Sequence, residues 1–136
     1  MARLRKVLFI LLVLTAALWR VTALADKSGT CGSHLTWTLN GDGLLTISGS
    51  GEMADYEASA PPWYSLRIFI KSVHIADGVT SIGESAFSSC HSLTSVHIPQ
   101  GVTAIGKWAF YDCVSLTDVS LPQRLTSIGY FAFREL

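Results

Sequence analysis

Cysteine and histidine are the residue types in this chain most able to do chemistry, and they form two close pairs. Cys31 lies three residues before His34, and Cys90 directly precedes His91. Zinc sites gather three or four such ligands, commonly with C-x-x-C or H-E-x-x-H spacing, and neither spacing occurs. Adjacent side chains such as Cys90 and His91 diverge, and the G-x-S-x-G turn of serine hydrolases is absent. We therefore predict no catalytic residue, no cofactor and no metal.

Two other histidines share a different kind of spacing. His74 and His97 are 23 residues apart, and each follows a serine, Ser72 or Ser95, by two positions. Equal spacing of this kind indicates a repeat, and a repeat decides which elements position the side chains.

The repeat consists of three blocks that align without gaps. Nine columns match in every copy, and stacked copies would bury apolar faces that one copy could not bury alone. The blocks are IKSVHIADGVTSIGESAFSSCHS (70–92), LTSVHIPQGVTAIGKWAFYDCVS (93–115) and LTDVSLPQRLTSIGYFAFREL (116–136). The third block is incomplete, which predicts a fragment of a longer array or, as an alternative, end-to-end self-association.

Each block predicts two short strands and a turn. In S-V-H-I, polar and apolar residues alternate, so Val73 and Ile75 should point inward and His74 outward. Proline follows this strand in two copies, and V-T-S-I-G is a second extended piece. Ala86 and Phe87 should lie on a helical or 3₁₀ turn that directs the phenylalanine ring into the core.

The outward positions of the first strands form the candidate binding face. Exposed sheets of stacked repeats are common binding surfaces, although solvated polar residues on a half-buried strand would give the same pattern. The six positions are Ser72, His74, Ser95, His97, Asp118 and Ser120.

Cys90 and Cys113 occupy one column of the repeat. Their Cα atoms should lie about 4.8 Å apart, one strand spacing. That distance permits a disulfide, but parallel side chains would strain it, so we expect two buried free thiols. Cys31 is the odd one out, because three cysteines cannot all form disulfides within one molecule.

The segment before the repeats predicts a β-hairpin. Two alternating runs, Leu35–Leu39 and 44–47, are joined by Asn-Gly-Asp-Gly, whose residues accept the positive φ of a tight turn. Trp37, Leu39, Leu45 and Ile47 could cover the first copy. Trp63 should pack on this hairpin cap.

The first 25 residues read as a signal peptide. A basic start, MARLRK, precedes twelve apolar residues and then Ala-Leu-Ala, so we predict cleavage after Ala25. Twelve residues span about 18 Å as a helix, against the roughly 30 Å of a bilayer core, which disfavours a membrane span. An uncleaved anchor is the alternative.

Charge separates this segment from the rest of the chain. Four of the ten basic residues lie in the first twenty positions and no acid precedes Asp26, leaving six bases against ten acids and a net charge near −4. This balance disfavours nucleic acid or an anionic membrane as partner, because both require concentrated positive charge.

The pattern L-T-x-V-x-I-P-x-x-V-T-x-I-G-x-x-A-F-x-x-C is similar to the BspA-like leucine-rich repeats of bacterial surface proteins. It covers residues 70–136, with departures at Ala76, Arg124 and Leu136, where other copies have Pro, Gly and Cys. The resemblance implies a right-handed, β-rich α/β solenoid with a parallel sheet. It also implies a secreted or cell-surface protein that binds a protein, host surface or matrix ligand without catalysis.

The predicted organisation is a signal peptide at 1–25, a hairpin cap and linker at 26–69, and a repeat domain at 70–136. Two alternatives to an adhesin-like role stay open. The segment could be the N-terminal module of a larger exported peptidase or glycosidase, or a structural spacer in the envelope.

Overall fold

The computed structural model describes residues 26–136, and the predicted signal peptide, residues 1–25, lies outside this part. A 3₁₀ helix spans Tyr64–Phe69. Within the described residues, no helix has the length and apolar character needed to cross a membrane. The strands are β1 Lys27–Gly32, β2 Leu35–Leu39, β3 Leu44–Gly49, β4 Gly51–Glu52, β5 Ser72–Ile75, β6 Val79–Ile82, β7 Ser95–His97, β8 Ala104–Ile105, β9 Asp118–Ser120 and β10 Ser127–Ile128.

The strands form two sheets in which each repeat copy contributes one strand to each. One sheet has the order β1-β2-β3-β5-β7-β9 and the other β10-β8-β6-β4. Equivalent residues pair in parallel, as Val73 with Val96 and Val96 with Val119. The predicted parallel pairing is confirmed, and the register equals the 23-residue period.

The predicted hairpin is present and joins the first sheet. β2 and β3 pair antiparallel, and β3 then pairs parallel with β5. Asn40 Oδ1 accepts hydrogen bonds from the Asp42 and Leu44 amides, both at 3.0 Å, and Gly43 has φ +81°. Asparagine side-chain bonding and a left-handed glycine are the turn chemistry that the sequence suggested. Strand β1, which was not predicted, extends the sheet beyond β2.

The core contains inward side chains of both sheets and of the turns, arranged in ladders of equivalent positions. The rings of Phe87, Phe110 and Phe133 stack in a single file, with centroids 5.2 Å apart at each step. Hairpin residues belong to the same core, since Leu39, Leu45 and Ile47 are fully buried. The apolar columns therefore act as one continuous core rather than as three separate ones.

Ala86 and Phe87 lie on a single turn of the i→i+3 kind that was predicted, closed by the Ser88 amide donating to the Ser85 carbonyl at 3.2 Å, but the turn does not continue as a helix. Ser85 and Ser89 have positive φ values of 58° and 60°, which break a right-handed helix. Alternate amides then point out of the turn, and the Phe87 amide donates to the Ala109 carbonyl of the next copy at 2.7 Å. Hydrogen bonds between copies replace those that a helix would make within itself.

The glycine column of the repeat has a steric cause. A Cβ at Gly106 would lie 2.6 Å from the Glu84 backbone nitrogen, closer than side chains tolerate. The equivalent Gly83 and Gly129 meet backbone atoms of Ala54 and Lys107 in the same way. Glycine is therefore required where this column meets the backbone of the preceding copy or, for Gly83, of the segment before the repeats.

Trp63 occupies the place of a phenylalanine on the hairpin side of the ring file. Its ring stacks on Phe87 with centroids 5.4 Å apart and meets Trp37 edge-on at 5.7 Å. Its indole Nε1 donates to the Ala86 carbonyl at 2.8 Å. In later copies, the carbonyl at this column accepts a backbone amide of the preceding copy. The expected packing of Trp63 against hairpin residues is seen, and the tryptophan also supplies that missing donor.

The third copy is less buried than its sequence pattern suggested. Leu121 and Ile128 continue columns that are buried in the first two copies, yet each is 48% exposed. Phe133 is only partly buried. Among the described residues, the third copy has a neighbouring copy on one side only, so its apolar columns are covered on that side alone.

Candidate binding face

The structure brings the six predicted face residues together on the outer side of β5, β7 and β9. One row is Ser72–Ser95–Asp118 and the other is His74–His97–Ser120, both in direct parallel register. The alternating inward residues Val73 and Ile75 are buried, which fixes the polar residues on the outer side. His74, His97, Asp118 and Ser120 are exposed, whereas Ser72 and Ser95 are half-buried.

The two histidines of the face stack on each other. Their ring centroids are 5.3 Å apart and the rings are 11° from parallel. The parallel register produces this arrangement, because equivalent side chains of adjacent strands project in the same direction. Stacked imidazoles present their nitrogens along a shared edge and can donate and accept hydrogen bonds.

The row through the histidines continues into the hairpin, which the sequence reasoning missed. Thr46 lies beside His74 on β3, and Thr38 lies beside Thr46 on β2. The alternation in LTWTL and LLTIS already placed these threonines opposite the buried residues. Their alignment with the histidines followed only from the parallel pairing of β3 with β5, which the sequence did not reveal.

The extended row is a polar surface whose side chains are suited to hydrogen bonding. It runs from Ser28 on β1 to Ser120 on β9, six strands at about 4.8 Å spacing, so about 24 Å in length. Hydroxyls and imidazoles act as both donors and acceptors, whereas Asp118 is the only carboxylate among the six predicted residues. Such a surface fits peptide groups or sugar hydroxyls better than strongly charged ligands.

The cysteines and the remaining histidines are placed apart from this face. His91 Nε2 lies 2.8 Å from Asp112 Oδ2, which joins the first and second copies at the surface. Cys31, Cys90 and Cys113 are buried free thiols, and Cys113 Sγ donates to the Phe87 carbonyl at 3.1 Å. In residues 26–136, no three His, Cys, Asp or Glu side chains are grouped as metal ligands.

Burial makes all three thiols poor nucleophiles. Loss of hydration raises the pKa of Cys31 to about 11 and that of Cys113 to about 12. The pKa of Cys90 is raised further in the same direction by burial and by the nearby Cys113. The thiolate is the reactive form, so these residues serve as small apolar fillers of the core.

Comparison with protein families identifies the repeat. The family described as "BspA type Leucine rich repeat region (6 copies)" matches residues 64–136. The match begins within the 3₁₀ helix and extends through all three copies. No curated protein sequence matches the chain.

Two solved structures are similar over most of the chain. A leucine-rich repeat protein from Eubacterium ventriosum ATCC 27560 is 37% identical, with a TM-score of 0.76 over 82% of this chain and 30% of that one. A leucine rich cell surface protein from Faecalibacterium prausnitzii A2-165 is 26% identical, with a TM-score of 0.55 over 84% of this chain and 35% of that one. This chain therefore spans about a third of the length of each.

Proposed function

The chain belongs to the BspA type leucine-rich repeat family, and from this premise we propose that it is an exported binding protein of the cell surface. Its ligand would be a protein or glycoprotein of a host surface or matrix, held without catalysis. The basic and apolar segment 1–25 supports export as a cleaved signal peptide. The surface location printed for the F. prausnitzii protein supports the same assignment.

We also propose the architecture that serves this role. Residues 70–136 would form a right-handed solenoid, and residues 26–69 would form its N-terminal hairpin cap and linker. Trp63 is buried against Phe87 of the first copy and Trp37 is buried against Trp63, which supports the cap, because these rings keep the end of the ring file from water.

The observation that carries the functional proposal is the alignment of Ser72, His74, Ser95 and His97 on the exposed side of parallel strands. Function on a repeat fold resides in such outward positions, since the inward ones are committed to packing. The face is small beside the roughly 800 Å² per partner of a stable interface, so a weak or multivalent contact is expected.

The proposal is tested by surface plasmon resonance on immobilised laminin, collagen and fibronectin. The matched variants replace four face residues (S72A, H74A, S95A and H97A) or two residues of the other sheet (T80A and S127A). We expect retention of the protein on at least one surface, reduced about tenfold or more by the face variant and unchanged by the control. Equal retention of both variants, or binding to none of these proteins, would contradict this role for the face.

Export has a separate test. Expression in a secreting bacterium and N-terminal sequencing of the recovered protein should give Asp26 as the first residue. A protein that stays in the cytoplasm, or in the membrane with its first 25 residues intact, would contradict the cleaved signal peptide.

A further inference from the structure

A cleft of about 400 Å³ lies on the turn side of the repeats and shares no residue with the candidate binding face. Its volume falls within the roughly 300–1,000 Å³ range of small-molecule sites. Three aromatic side chains and four serines dominate its lining. The lining residues are Ala58, Ser59, Tyr64, Ser85, Ser88, Ser89, Trp108 and Tyr111.

The cleft arises from a difference in side-chain size between two adjacent copies. In the first copy the repeat columns carry Ser85 and Ser88, and in the second copy the same columns carry Trp108 and Tyr111. The backbone is the same at both, with φ 58° at Ser85 and 55° at Trp108. The small residues therefore leave a notch one copy wide beside the large ones.

Residues before the repeats close the other side of the notch. The Tyr56 amide donates to the Glu84 carbonyl and the Trp63 indole to the Ala86 carbonyl, which holds the 56–64 segment against the first copy. Tyr64 directly follows this anchor and lines the cleft together with Trp108 and Tyr111 of the second copy. The result is a cleft lined by serine hydroxyls and aromatic rings.

The Trp108 side chain is held in place rather than free. Tyr130 meets its ring edge-on with centroids 5.2 Å apart, and Lys107 Nζ lies 5.7 Å from the ring centroid. Lys107 itself pairs with Glu84 at 3.3 Å, outside the cleft lining. Because the Trp108 side chain is already ordered, it loses little conformational entropy when a ligand packs on it.

The chemistry of the lining selects a class of ligand. Of the residues that the structure describes, those lining the cleft include no Lys, Arg, Asp or Glu, which disfavours phosphates and other charged groups. Aromatic rings offer broad apolar contact, and serine hydroxyls both donate and accept hydrogen bonds. A pyranose ring matches this pair, because its C–H faces are apolar and its edge carries hydroxyls.

We propose that this cleft binds a neutral saccharide unit, stacked against Trp108 and hydrogen-bonded to Ser85, Ser88 or Ser89. A proline-rich peptide also fits aromatic grooves, but it offers mainly carbonyl acceptors. The serine hydroxyls of the cleft supply donors and acceptors together, which favours the sugar. The site is independent of the sheet face, so either proposal can fail without the other.

The test is isothermal titration calorimetry of the purified protein with N,N′-diacetylchitobiose, lactose, maltotriose and decaproline. Variant W108S installs the residue that the first copy carries at the same φ, and S88Y fills the notch with the second copy's tyrosine. Variant F131S is the matched control, because Phe131 shares the column and the backbone conformation (φ 57°) but lies outside the cleft.

We expect at least one of the three saccharides to bind, with affinity about tenfold or more weaker in W108S and S88Y and unchanged in F131S. Nuclear magnetic resonance of the unmodified protein should show the Trp108 indole N–H shifting on saccharide addition. The proposal is overturned if none of the saccharides binds, if only decaproline binds, or if the saccharide shifts fall elsewhere on the protein. Equal affinity in W108S would overturn it as well.

Discussion

The two ends of the phenylalanine file differ in how the last ring is covered. On the hairpin side, Trp63 stacks on Phe87 and is 1% exposed. On the other side, Phe133 stacks on Phe110 but remains partly buried, and the nearby Phe131 is 45% exposed. Among the described residues, the ring file is therefore covered at the hairpin end, by a residue from outside the repeat, and partly exposed at the other end.

The comparison shows that the repeat pattern alone does not bury a residue. In the phenylalanine column, the ring with another ring on both sides, Phe110, is fully buried, whereas Phe133, with one ring neighbour, is only partly buried. Trp63 meets this need with a different residue type, because its indole provides both a ring for stacking and an N–H donor for the Ala86 carbonyl. Stability in stacked repeats is accordingly a sum of contacts between neighbours.

The largest effect should follow from removing Trp63. Variant W63A would empty a fully buried site and leave the Ala86 carbonyl without its donor, at a cost of about 3–5 kcal/mol in the free energy of unfolding. Variant W63F keeps one aromatic ring but loses the indole donor and part of the buried volume, so it should cost less than W63A, about 1–3 kcal/mol. Urea unfolding measures the cost of both variants. A cost below about 1 kcal/mol for W63A would contradict the claim that Trp63 covers the hairpin end of the ring file.

The next effect contrasts two phenylalanines of one column. Variant F110A removes a ring with neighbours on both sides and should cost about 3–5 kcal/mol. Variant F133A removes a ring with one ring neighbour and partial exposure, so about half that cost is expected. Urea unfolding under identical conditions gives the comparison directly. Equal costs would mean that the two ends are equally covered.

The smallest effect concerns the cysteine column and alkaline pH. Cys90 and Cys113 are buried, whereas Leu136, in the same column, is 55% exposed. Because burial raises the thiol pKa in the folded protein, the unfolded chain loses these protons first, from about pH 8.5. The contribution of these thiols to the free energy of unfolding should therefore be fully present below that pH and should decline as the pH rises toward about 12.

Unfolding measured at about pH 7 and about pH 10 tests this dependence, with C113A as the control. Removing one buried thiol should make the alkaline decline shallower, whatever its effect on stability at neutral pH. Tyr56, whose pKa burial raises to about 12, contributes in the same direction and is unchanged in the control. An identical decline in both proteins would contradict the account of the thiols.

Much of the fold could be predicted because its determinants are local and repeated. The period fixed the strand register, and alternation in S-V-H-I gave the correct inward and outward sides for Val73 and His74. The left-handed conformation of Ser85 and Ser89 around Phe87 could not be predicted, because it accompanies hydrogen bonds to the next copy. Strand β1 was missed because KSGTCG lacks alternation and its pairing with β2 decides its conformation.

The candidate sites also divide into features set by local sequence and features set by contacts between distant residues. The six face residues could be located from the sequence because one strand defines which side chains point outward. Thr46 was missed because its place beside His74 depends on pairing between the hairpin and the first copy. The cleft could not be foreseen, since it brings together Tyr64 and Trp108, residues that no local pattern relates.

Amide hydrogen exchange measured by nuclear magnetic resonance tests the central claim most directly, namely that each copy is stabilised by its neighbours. The amides of Phe87 and Phe110 donate to carbonyls of the following copy, at 2.7 and 2.8 Å, whereas in the described residues the Phe133 amide has no such bond. We expect slow exchange at Phe87 and Phe110 and fast exchange at Phe133. Exchange at Phe133 as slow as at Phe87, or fast exchange at all three, would contradict the account.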